Sequence, residues 1–138
     1  MIIQTTNPQH PLFSFVLHQQ TIGFFEEQLI DRKNHDYPPY SRLVEITIKH
    51  VDKKICREAA DELVRNYKVA LNGVKIMGPG EPMVSKIRNE YLMNILIKIP
   101  RALSGLHELK HQALAISDKL LMDKKFRSVR VQIDVDPV

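Results

Sequence analysis

"YPPYSRLVEITIKH", residues 37–50, holds the turning point of the chain. Pro38 and Pro39 fix φ and offer no backbone N–H, so a helix cannot run through them, and the first proline pushes Tyr37 into an extended conformation. Directly afterwards Val44, Ile46 and Ile48 alternate with Glu45, Thr47 and Lys49. A period of two with one apolar set predicts a strand with one wet face. The double proline therefore divides residues 1–40 from a second unit at 41–138.

Downstream of the strand the patterning is regular. Ile55, Ala59, Leu63 and Tyr67 recur every four residues, with Cys56, Ala60 and Val64 beside them. That spacing predicts an amphipathic helix opening at Asp52, a residue suited to the N-cap. "GVKIMGPGEP" predicts a short strand and then a loop marked by glycine and proline. "YLMNILIKI" sets Tyr91, Met93, Ile95, Ile97 and Ile99 on one face and Leu92, Asn94, Leu96 and Lys98 on the other. Leu106, Leu109, Ala113, Ile116 and Leu120 follow a helical rhythm, and "SVRVQIDVDP" alternates again. The order β-α-β-β-α-β predicts an α+β ferredoxin-like sandwich: a four-stranded antiparallel sheet with two helices on one face. One face of each strand is then for the helices and the other, mostly polar, for water.

Upstream, "IIQT" at 2–5 suits a short strand, and an isolated strand is not stable. "LFSFVLHQQ" and "TIGFFEEQLIDRKNHD" predict two helices, the second with Ile22, Phe25 and Leu29 at helical spacing and Arg32 and Lys33 in its last turn, as the helix dipole prefers. Phe13, Phe15, Phe24 and Phe25 all require burial. This segment is expected to fold back on the second unit or to pair with a second copy.

The 138 residues fit one medium domain, or one domain with an appendage, and 43% hydrophobic with 26% charged residues is ordinary globular usage. The formal net charge of +4 is compatible with a polyanionic partner. Cys56 is the single cysteine, which excludes an internal disulfide and fits a reducing compartment. No apolar run reaches membrane-spanning length, so a cytoplasmic protein is expected.

"HELKH" at 107–111 spells the zinc-binding helix of many metalloproteases, in which two imidazoles at i and i+4 hold one zinc and the glutamate acts as general base. Here both histidines fall at the wet edge of the helix stripe, and neither histidine nor glutamate follows His111. A solvated helix face is the expected reading, with no metal site. Asp134 and Asp136 are two apart near the chain end; they could join a Mg²⁺ site, but no third acid stands near them, and a polar face or docking contact is expected. Cys56 takes a core-facing helical position, as filler rather than nucleophile. "PMVSKIRNEY" reads as a loop carrying Lys86 and Arg88, with Tyr91 just after, a combination that could track phosphates and stack a base.

Four stretches in sequence carry a resemblance: "IIQTTNPQHP", "FFEEQLIDRKNHDYPPYSRL", "GPGEP…KIRNEYLMNILIKIP" and "IDVDPV". Together they resemble the C-terminal end of the bacterial replication-restart helicases, the PriA or primosomal protein N′ family, over the whole chain. The resemblance implies a piece of a longer ATP-dependent 3′–5′ DNA helicase. Residues 1–40 would be the end of the second helicase lobe and a helical linker, and residues 41–138 a ferredoxin-like module binding DNA at forks and single strands. ATP, Mg²⁺ and zinc would be bound upstream, with no cofactor, catalytic residue or ATPase activity in this stretch. It further implies partners among the primosome proteins, the acidic C-terminal tail of the single-stranded-DNA-binding protein, and a location at the bacterial nucleoid. Lys86, Arg88 and Tyr91 match basic and aromatic positions of the family's loop. Arg101 lies next to the family's tail-binding arginine, which usually stands two residues after the proline; here it follows Pro100 directly. Glu90 and Leu92 stand where the family often carries arginine.

Three readings from different classes follow: a binding module of a helicase, a stand-alone ferredoxin-like ligand-binding or regulatory domain, and a zinc hydrolase. The third is tested by elemental analysis of protein purified without added metal. The expected content is far below one zinc per chain, and a stoichiometric zinc that survives dialysis would overturn the solvated-face reading of His107 and His111.

Overall fold

The structure, a computed structural model, describes residues 4–18, 20–103 and 106–137, apart from the side chain of Leu106. Two helices come first, α1 (Pro11–Leu17) and α2 (Thr21–Asn34), then β1 (Ser41–His50), α3 (Lys53–Ala70), β2 (Lys75–Gly80), β3 (Lys86–Ile87), β4 (Glu90–Pro100), α4 (Leu106–Leu121) and β5 (Arg130–Val135). The sheet runs β2-β4-β1-β5, antiparallel at every pairing. That order, with α3 and α4 as crossovers, is the ferredoxin-like arrangement. The sheet has five strands among the described residues rather than four, because the short β3 pairs with the first residues of β4.

The central pair fixes the rest. β1 and β4 match without a break from Ser41↔Pro100 to His50↔Tyr91. Val44, Ile46 and Ile48 therefore lie opposite Ile97, Ile95 and Met93, and all six are buried beneath the helices. α3 starts where Asp52 Oδ1 accepts the N–H groups of Lys54 and Ile55, at 2.7 and 3.2 Å, the capping that satisfies otherwise orphaned donors. Cys56, Ala59, Ala60, Leu63, Val64 and Tyr67 form its buried stripe. α4 adds Leu109, Ala113 and Leu120, as its spacing predicts. It also buries Ser117, which the apolar pattern does not mark. Ser117 Oγ donates to Ala113 O at 2.9 Å and lies 2.7 Å from the Tyr67 hydroxyl, so the two helices share a satisfied polar contact inside the core.

The face of the sheet away from α3 and α4 differs from the expected wet surface. Leu43, Leu92 and Lys98 on that face are buried. Lys98 Nζ donates to His35 O at 2.7 Å and stands 3.7 Å from the Tyr37 ring centroid, so the segment entering β1 covers this end of the face. Asp36 on the same segment pairs with Lys75 of β2 at 3.3 Å. At the chain end Asp136 has φ 52°, its N–H donates to Leu43 O at 2.8 Å, and its Oδ1 accepts from Leu43 N at 3.3 Å. β5 ends at Val135, so Asp136 is not a second strand carboxylate beside Asp134 but a side chain that continues the ladder onto β1. β2, too, runs further than the pattern suggests. It crosses Gly78 and Pro79 to pair Gly80 with Asn94, with an irregularity in register after Met77. Gly78 (φ 105°) is held there by close approach, since a Cβ would fall 2.8 Å from Asn94 O.

The "IIQT" strand lies largely outside the described residues, and Gln4 and Thr5 are in no strand. The aromatic side chains upstream do not fold back on the sheet. α1 and α2 pack on each other, with the Phe15 and Phe24 rings 6.0 Å apart, and neither helix has a buried residue. Ile22 and Phe25 are 77% and 58% exposed. Helices this short gain little from intrinsic propensity alone and need tertiary burial to persist. Hydrogen exchange in dilute solution should therefore show fast exchange through α1 and α2 while amides of Ile46 and Ile95 stay protected; equal protection in the two regions of a proven monomer would contradict this.

Candidate functional site

The segment expected as a loop is a tight hairpin. Lys86 pairs with Tyr91 and Ile87 with Glu90, leaving only Arg88 and Asn89 to turn the chain. Both have positive φ, 48° and 65°. Two left-handed residues in succession define the hairpin turn whose twist matches the flanking strands. Asparagine tolerates that region readily and arginine does so rarely, so the strand pairing on either side holds Arg88 in place. Arg88 is exposed at the tip. Lys86 Nζ lies 4.7 Å from the centroid of the half-buried Tyr91 ring, a cation–π contact over one face of the ring. Glu90, next to it, forms an ion pair with Arg130 of β5, so its carboxylate is matched within the protein.

Arg101 lies at the other end of β4. It sits in a turn after Pro100, exposed, with its N–H donating to Tyr40 O at 3.3 Å, and α4 begins only at Leu106. It is therefore not at the start of the helix. The eleven residues of β4 separate it from the hairpin by roughly 35 Å. The structure brings Lys86, Arg88 and Tyr91 together and leaves Arg101 apart from them.

The other candidates fall as follows. His107 and His111 are exposed on α4 with ring centroids 4.4 Å apart, while Leu109 between them faces the core. Among the described residues no three His, Cys, Asp or Glu side chains gather as a metal-binding group. Cys56 is buried, its Sγ 3.4 Å from the carbonyl oxygens of Ile48 and Tyr91, and burial pushes its thiol pKa up. The thiolate that nucleophilic chemistry needs is disfavoured there. No helix among the described residues is long and apolar enough to cross a membrane.

One group of cations went unmarked in the sequence reading. The connection from α4 to β5 carries Lys124, Lys125 and Arg127. It reaches the hairpin end of the sheet, where His50 Nε2 and Ser128 Oγ share a hydrogen bond of 3.0 Å and His50 lies opposite Tyr91. The signal was the run "DKKFRSVR" itself, but only the register shows which loop it joins.

The fold defines a class: a ferredoxin-like α+β domain with a helical lead-in, a basic hairpin at one end of its sheet and the exposed Arg101 at the other. The chain belongs to the family of the primosomal protein N C-terminal domain, whose model matches residues 33–138. It is 32% identical over 97 residues to the replication restart protein PriA of Thermotoga maritima, covering 70% of this chain and 13% of that protein. Over essentially its whole length it is similar to the replication restart proteins PriA of Borreliella burgdorferi, at 27% identity and 20% of that protein, and of Bacillus subtilis, at 25% identity and 17%. The chain thus spans a fifth or less of the length of these three relatives.

Proposed function

We propose that this chain acts in restarting DNA replication as the C-terminal DNA- and partner-binding module of a replication-restart helicase, with residues 1–40 leading in from the preceding lobe. The observation that carries the reading is the hairpin of a family member in which Arg88 is held exposed at the tip beside Lys86. Its two cations are fixed by strand pairing and no carboxylate of the protein pairs with them among the described residues. Such a pair contacts phosphate without reading sequence. The parent would supply ATP hydrolysis, strand separation and its metal-binding elements, and this part would hold DNA and partner proteins in the bacterial cytoplasm. Lys86→Ala with Arg88→Ala should weaken DNA binding regardless of sequence. It should lower the slope of log K against log salt by about two contacts, ~1.8 for duplex. An unchanged slope would remove the hairpin from the DNA surface.

Arg101 serves a different partner in this reading. Its guanidinium is exposed and remote from the hairpin, and it suits a terminal carboxylate of an acidic tail through a two-pronged hydrogen bond that lysine cannot copy. In the full-length protein Arg101→Lys should weaken binding of the tail peptide of the single-stranded-DNA-binding protein and leave DNA affinity near the starting value. Unchanged tail affinity would direct the search to another arginine.

A further inference from the structure

Three connections meet at the hairpin end of the sheet: the turn from β1 into α3, the β3–β4 hairpin and the α4–β5 connection. The carboxylates gathered at this end are already engaged, by cations or by backbone N–H groups. Asp52 caps α3, Glu81 pairs with Lys53 at 2.8 Å, and Glu90 pairs with Arg130. Glu58 pairs with Lys125 at 2.9 Å, which holds its carboxyl below the usual range, and Asp123 accepts the N–H of Lys125 at 2.9 Å. Four cations at this end, Lys54 in the first turn of α3, Arg88 in the hairpin turn, and Lys124 and Arg127 in the α4–β5 connection, are exposed and make no side-chain ion pair or hydrogen bond among the described residues. Against the two carboxylates engaged only by backbone N–H groups, Asp52 and Asp123, these four leave the rim with an excess of positive charge that the small net charge of the chain does not reveal.

We propose that this rim, and not the hairpin alone, is a docking surface for duplex DNA, with Lys124 and Arg127 as phosphate contacts beside Arg88. The proposal rests on the DNA-binding reading above and extends it. Two features select duplex over single strand. Sequence-tolerant binding of single strands relies on several aromatic platforms, and the hairpin offers one half-buried ring with Lys86 over a face of it. The contacts also spread across two strand spacings and a side-chain bridge, from Lys86 through Tyr91 and His50 to Ser128, roughly 15–20 Å. A rim of that span meets several phosphates of a duplex backbone, where counterion release supplies the affinity.

The test measures binding of the chain to a short mixed-sequence duplex, and to one of its single strands, as a function of salt. Lys124→Ala with Arg127→Ala should weaken duplex binding about tenfold or more at low salt and lower the slope by ~1.8. A charge-matched control, Lys33→Ala with Lys68→Ala, removes two exposed cations remote from the rim and should leave the slope unchanged. The proposal is overturned if the rim variant keeps the full slope while the Lys86→Ala, Arg88→Ala variant loses it; the hairpin reading then stands alone. It is overturned equally if the control flattens the slope as much as the rim variant, or if the single strand binds more tightly than the duplex. Absence of any salt-dependent binding by the unaltered chain would defeat the hairpin reading as well.

Discussion

The unbroken antiparallel ladder between β1 and β4 is the constraint on which the molecule depends. Each matched pair commits two side chains to a face. A slip of one residue would turn Ile46, Ile48, Ile95 and Ile97 away from the helices. All four are fully buried, and burying each is worth roughly 1.5–3 kcal/mol, so no alternative register competes. The same ladder sorts the connections. The end of β1 and the start of β4 meet at one edge of the domain, and Ser41 and Pro100 meet at the other. The separation of Arg101 from the hairpin is therefore a property of the central pair and not of either loop.

Much of this order is legible in the sequence, because the period of two in Val44, Ile46 and Ile48 and the four-residue spacing from Ile55 to Tyr67 are produced by the same burial that builds the core. What the period cannot say is what covers the opposite face. Lys98 sits at a position that alternation assigns to water, yet it is buried. Removing an ammonium from water costs several kcal/mol unless it is partnered. The His35 carbonyl and the Tyr37 ring provide that partnership, and both come from the far side of the double proline. The dividing line at Tyr37–Tyr40 is thus also a contact: a buried cation and the Asp36–Lys75 ion pair tie the lead-in segment to the sheet, while α1 and α2 beyond it have no fully buried residue. Asp136 makes the same point at the other terminus, where a carboxylate that looks free in sequence completes a ladder.

The hairpin was illegible for a different reason. Two-residue turns announce themselves through Asn-Gly or Asp-Gly, and "RN" is neither. Asn89 suits the left-handed region; Arg88 adopts it because pairing on both sides leaves only two residues for the reversal. The rim was hidden by distance along the chain. Lys54, Arg88 and Arg127 come from three separate parts of the chain, and they share one end of the sheet because β1 lies between β4 and β5. A composition of +4 spreads over the whole surface in a sequence count, whereas charges more than about 8–10 Å apart in physiological salt barely feel one another. Local matching of carboxylates, not the total, decides where positive potential remains.

Glu90 illustrates how local charge matching shapes such a surface. Glu90 puts a carboxylate next to the hairpin turn, and its charge is met by Arg130 across the end of β1. The pair removes one cation and one anion from the exposed sheet face together. It leaves the flanking turn and the α4–β5 connection as the places where charge is unmatched. Those places are held by short tethers: Arg88 by pairs on both sides of a two-residue turn, and the α4–β5 connection by the His50–Ser128 hydrogen bond and the Lys125–Glu58 ion pair. A rigid polyanion docked there as proposed would order side chains rather than backbone, at about 0.5–1.5 kcal/mol for each immobilised long side chain. The strand pairing that makes the core unique thereby also lowers the conformational cost of using its edge.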